Sequence, residues 1–144
     1  MQACKQFGFE GLFPLDATLQ ATSRTRLAQQ IFTANIQLIQ QADLLMANLN
    51  PFRGFEPDSG TCFEIGYAHA LGKPIWAYAS DTRPLLERLR TAQALPAHAT
   101  HDQQGWTVEN FSLSQNLMLA CSVTLVQGDA QDCLRAIAAP LSTP

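Results

Sequence analysis

Asp58 and Glu64 stand six residues apart in the segment Asp58-Ser59-Gly60-Thr61-Cys62-Phe63-Glu64. That spacing places one carboxylate at the mouth of a helix and the other near its start. Two carboxylates flanking one small pocket are what glycosidic-bond chemistry requires, one as nucleophile and one near the leaving group. The same residues also read as a helix start: Thr61-x-x-Glu64 matches a capping box, and acids near a helix N-terminus favour the macrodipole. Spacing alone leaves both readings open. Gly60 permits close backbone approach. Asn35 lies between Ile31 and Leu38/Ile39 on the apolar side of a predicted helix, where an amide costs free energy unless it is hydrogen-bonded. It either reaches the same pocket or satisfies a neighbouring backbone group.

The elements that must position these groups can be read from periodicity. From Arg24 to Ala42, Leu27, Ile31, Ala34, Leu38 and Ala42 recur at helical spacing behind a Thr22 or Ser23 N-cap. Asp43–Leu49 is a compact apolar run, expected as a strand buried on both faces. The segment 50–60, with two Pro and two Gly, must be a loop. A helix is predicted over Thr61–Leu71, closed by Gly72, then a strand over Pro74–Tyr78 and a helix over Pro84–Ala94. Gly8–Leu15 suits a short strand stopped at Pro14. Leu113–Ala120 and Asp129–Ala139 read as C-terminal helices. The alternation of helix and strand with short connections implies an α/β parallel sheet, and in such sheets ligands sit beyond the carboxyl ends of the strands. Here that rule points at the loop holding Asp58.

Composition narrows the function classes. The 144 residues fit a single domain, 1–144, long enough for a sizeable core. Hydrophobic residues make up 47% and exclude a disordered chain. Nine Lys+Arg against twelve Asp+Glu, with no basic cluster, argue against nucleic-acid binding. No apolar stretch approaches the ~20 residues of a membrane span, and no signal peptide is evident, so a cytoplasmic protein is expected. Cys4, Cys62, Cys121 and Cys133 form no CxxC pair, and with His69, His98 and His101 they show no metal-ligand spacing. The cysteines are expected to be reduced and mostly buried.

Residues 42–78, together with 30–43 and 106–119, resemble the nucleoside 2-deoxyribosyltransferase family, with coverage from about Gly8 to Leu119. The resemblance implies a flavodoxin-like parallel sheet with helices on both faces. It also implies transfer of 2-deoxyribose between nucleobases by double displacement, without cofactor or metal. Glu64 then matches the nucleophile that forms a covalent deoxyribosyl-enzyme, and Asp58 the acid that binds the base and moves its proton. Asn35 falls where many members carry an aspartate; an amide binds the base or orients the nucleophile but cannot donate a proton as an acid does. Gly60 lies within the same motif. Asn116 and Met118 match an Asn-x-Met element that contacts the sugar in a neighbouring subunit's pocket, implying a homo-oligomer of unspecified size. Expected partners are deoxynucleosides and free nucleobases. By the same resemblance the sequence is expected to start at what corresponds to the tail of the family's first helix, leaving the family's first strand without a counterpart in these residues. The alternatives are a deoxynucleoside or deoxynucleotide N-glycosidase of the same fold and a silent nucleoside-binding module. Arg53 is assigned as a loop brace, with phosphate binding as its functional option, and Phe52, Phe55 and Trp106 either pack or stack on a base; Tyr67 and Lys73 are expected to serve the helix and its C-terminal end.

Overall fold

The computed structural model describes residues 2–13 and 23–139. Three short runs form one parallel sheet: β1 (Leu45–Asn48), β2 (Ile75–Ala79) and β3 (Thr124–Gln127), in the order β1-β2-β3. Leu45 pairs with Ile75 and Asn48 with Tyr78, while Trp76 pairs with Thr124 and Ala79 with Gln127. Around it lie α1 (Gln2–Gln6), α2 (Arg24–Gln41), α3 (Ser59–Ala70), α4 (Leu85–Ala92), α5 (Leu117–Ala120) and α6 (Ala130–Ala138).

The central strand β2 shows why helices lie on both faces. Its residues alternate sides, with Ile75, Ala77 and Ala79 buried and Trp76 and Tyr78 half-buried. Ala77 joins a core with Ile39, Ala47, Leu49, Ile65, Ala68 and Leu119, which seats α3 on that face. Leu49 and Ile65 are fully buried, and each such side chain contributes roughly 1.5–3 kcal/mol. On the opposite face Tyr78 sits within electrostatic reach of Cys133 and Asp129, at the start of α6. Burial pushes the Cys133 thiol up to about 11, so it stays protonated. Small residues at positions 77 and 79 let helices approach the sheet closely.

The ends of α3 are set by local chemistry. Asp58 is its N-cap, accepting from Thr61 N at 3.1 Å. Gly72 (φ +69°) closes it, with Gly72 N donating to His69 O and Lys73 N to Ala68 O, a Schellman motif that a Cβ at residue 72 would strain.

Several sequence expectations are revised. The helix begins at Ser59 rather than Thr61, because Asp58 and not Thr61 supplies the cap. The expected strand over Gly8–Leu15 is absent from Gly8–Phe13: Phe7, Gly8 and Phe9 donate back to the carbonyls of Cys4 and Lys5, and Gly8 adopts φ +81°. Pro14, Leu15 and the proposed cap Thr22 lie outside the described residues; Ser23 is the cap of α2, accepting from Arg26 N. The helix expected over Leu113–Ala120 shrinks to α5, since Ser112 sits at φ +57° and Asn116 starts the helix. The strand β3 is an addition; its four residues are too few for a periodic signal. Of the cysteines only Cys133 is buried; Cys4 and Cys62 are half-buried and Cys121 is exposed. The predicted apolar stripe of α2 is turned aside as well. Ile39 is its one buried residue, while Leu27 is 37% exposed.

Candidate active site

The helices α2 and α3 each present a stripe at i, i+3, i+4 spacing, Phe32/Asn35/Ile36 with Ile39 one turn on, and Gly60/Phe63/Glu64. These seven residues line a groove of about 290 Å³, at the small end of small-molecule sites. Its walls are apolar, its rim is formed by the exposed rings of Phe32 and Phe63, and its polar groups are Asn35 and Glu64. The two rings lie 6.0 Å apart between centroids, tilted by 49°, within the range of a direct aromatic contact.

Glu64 is half-buried, and Asn35 Nδ2 donates to its Oε1 at 3.4 Å. Burial holds the Glu64 carboxyl above the usual carboxylate range; the Asn35 hydrogen bond opposes this and the charge of Asp58 adds to it. The capping-box reading of Glu64 is therefore replaced: its carboxylate turns into the groove, and the cap belongs to Asp58. A carboxylate that is raised, ionisable and open on one side suits nucleophilic attack at a carbon entering the groove.

Asp58 stands beside the groove, with Oδ2 held by Thr61 N. Gly60 lines the groove beside it, and a Cβ at that position would lie 2.9 Å from Asp58 Oδ2, so the carboxylate would have to shift to admit one. The orientation of α2 against α3 is fixed away from the groove. Gln40 Nε2 donates to Tyr67 Oη at 2.8 Å, and Lys73 Nζ donates to Gln40 O at 2.9 Å and Ala42 O at 2.6 Å. Tyr67 and Lys73 thus clamp the end of α2 rather than serving α3 alone.

Asn116 and Met118 are not among the residues lining this groove. Asn116 caps α5, accepting from Met118 N, and Met118 is 73% exposed. Arg53 stacks its guanidinium on Phe52, 5.1 Å from the ring centroid, Phe55 packs on the cluster of Leu85, Leu86, Leu89 and Val108, and Trp106 is 71% exposed. The sequence reading passed over Phe32 and Phe63. Their signal was the i, i+3, i+4 register they share with Asn35 and Glu64.

Comparison with known proteins shows the family and the fold. Residues 1–118 match the family model of nucleoside 2-deoxyribosyltransferases. The fold is similar to that of a 2-desoxiribosyltransferase from Leishmania mexicana, with 31% identity and a TM-score of 0.71, over 95% of this chain and 81% of that one. A Schizosaccharomyces pombe protein described as uncharacterized protein C191.05c is 29% identical over 94 residues, which are 62% of this chain. The match spans 44% of that relative's length. The chain belongs to the nucleoside 2-deoxyribosyltransferase family.

Proposed function

We propose that the protein exchanges nucleobases on 2′-deoxyribonucleosides by double displacement. Glu64 attacks C1′ of the sugar as the C1′–N bond to the base breaks, giving a deoxyribosyl ester, and the departing base takes a proton delivered through Asp58. An incoming base then attacks C1′, the Glu64–C1′ bond breaks, and the base's proton passes to Asp58. Two inversions give net retention. Asn35 holds the nucleophile, Gly60 keeps the groove open beside Asp58, and Phe32 and Phe63 take the flat face of the base. Asn116 and Met118 of a second copy of the chain contact the sugar, making the enzyme a homo-oligomer that works in cytoplasmic nucleoside salvage without a cofactor. The observation that supports this reading best is Glu64 half-buried in the groove with an amide on its carboxylate.

Incubation with 2′-deoxyinosine and free adenine or cytosine is expected to yield the new deoxynucleoside. A 2′-deoxy-2′-fluoro-arabino nucleoside is expected to leave a mass adduct on Glu64. Release of free deoxyribose without exchange identifies a hydrolase instead, and tight binding with neither product identifies a silent binding module.

A further inference from the structure

Four consecutive residues before α5 are each tied to a different part of the fold. Leu113 O accepts from Leu85 N at 2.8 Å, at the start of α4. Ser114 O accepts from Nη2 of the buried Arg88. Gln115, only 2% exposed, donates its Nε2 to Leu49 O at the carboxyl end of β1, at 3.2 Å. Asn116 donates its Nδ2 to Glu109 Oε1 at 2.7 Å, and Glu109 Oε2 accepts from Leu117 N at 2.9 Å.

The first three ties are ordinary bracing of a loop onto a sheet. The fourth is different, because both oxygens of one carboxylate are committed to the residue pair 116–117. Asn116 Oδ1 is meanwhile turned to Met118 N at 3.0 Å. The amide of Asn116 is thus fixed in both position and direction, with one Nδ2 hydrogen and one Oδ1 lone pair left over. Charge-assisted bonds of this length are the strong class.

We infer that Glu109 is a positioning residue for the reaction: it orients the Asn116 amide so that its remaining donor and acceptor meet the sugar. This rests on the sugar-contacting role proposed for Asn116 above. Glu109 itself touches no substrate; it acts through Asn116 and the first N–H of α5. Glu109→Gln keeps one carbonyl acceptor for this pair, whereas Glu109→Ala removes both.

The test is a double-mutant cycle on kcat/KM for 2′-deoxyinosine in the exchange reaction, with folding followed by thermal melting. Glu109→Ala is expected to lower kcat/KM about tenfold or more, chiefly through KM, with Glu109→Gln intermediate. In the Asn116→Ala background, Glu109→Ala is expected to add less than about a twofold loss. Losses that multiply in the double variant overturn the inference, as does Glu109→Ala kinetics equal to wild type. If Glu109→Ala fails to fold, the same cycle run with Glu109→Gln decides. Wild-type protein that turns over no deoxynucleoside refutes the parent reading and this inference with it, whereas active wild type with an indifferent Glu109 refutes this inference alone.

Discussion

Asn35 Nδ2 lies 3.4 Å from Glu64 Oε1, so a carboxylate on α3 is held by an amide from α2, 29 residues upstream. An amide at this place lowers the carboxyl pKa without contributing a charge of its own. It keeps Glu64 ionised to lower pH than burial alone would allow.

This gives a prediction for the pH profile. Glu64 must be ionised to attack, and burial sets its pKa above the ordinary range, so kcat/KM rises with pH through that raised value. Asn35→Ala removes a lowering influence and is expected to move the acid limb to higher pH. Asp58→Asn removes a raising influence and is expected to move the limb the other way in whatever activity remains. Profiles measured on the three proteins check both directions, and limbs that coincide contradict the assignment of Glu64.

Glu64→Gln is expected to cost on the order of a thousandfold or more in exchange, as loss of a covalent nucleophile does, while raising the melting temperature at pH 7. The sign follows from linkage. A carboxyl whose pKa is higher folded than unfolded binds more protons in the folded state. Its stabilising contribution is present below the unfolded value and lost as pH rises through the folded one. At neutral pH the charge is a liability that glutamine removes, and the gap between the melting curves should shrink toward pH 4.

Asp58 has two duties that substitution can separate. Asp58→Ala loses the cap of α3 and is expected to destabilise the fold by about 1 kcal/mol, read as a lower urea midpoint. Asp58→Asn retains the cap and stability. Both are expected to lose about 10²–10⁴-fold in exchange through proton transfer. Gly60→Ala, whose new Cβ would displace Asp58 Oδ2, weakens the cap but gains helix propensity of about 1 kcal/mol, so its urea midpoint is expected to stay near wild type while exchange falls.

Lys73→Met removes two bonds to the last carbonyls of α2 and is expected to cost about 1–2 kcal/mol in denaturant unfolding. Because those bonds set where Asn35 meets Glu64, its pH profile should shift in the same direction as that of Asn35→Ala.

The parts of the fold that were legible in the sequence are those with enough residues to show a period or a punctuation mark. The helix α2, the apolar run of β1 and the Gly72 stop of α3 all qualify. The strand β3 did not, because four residues of mixed polarity carry no period of their own and take their conformation from pairing with β2. At the site, Glu64 and Asp58 were visible as chemistry, but which residue caps the helix was not. Thr61-x-x-Glu64 satisfies the capping pattern on paper, and only the start of the helix at Ser59 shows that Asp58 holds the cap and leaves Glu64 free. On α2 the side carrying Asn35 was legible as apolar, but Phe32 and Ile36, which complete the groove wall, were not, because the regular apolar repeat runs through Leu27 and Ile31.

The alternation along β2 has a practical consequence. Trp76 points to the face shared with Tyr78 and α6, and Trp106 stands 71% exposed on a turn. The chain's two indoles therefore both lie away from the groove between α2 and α3. Intrinsic fluorescence will report the melting of the sheet, almost entirely through Trp76, yet stay nearly silent when a nucleoside enters beside Glu64, so binding has to be followed by calorimetry or by the absorbance of the base itself.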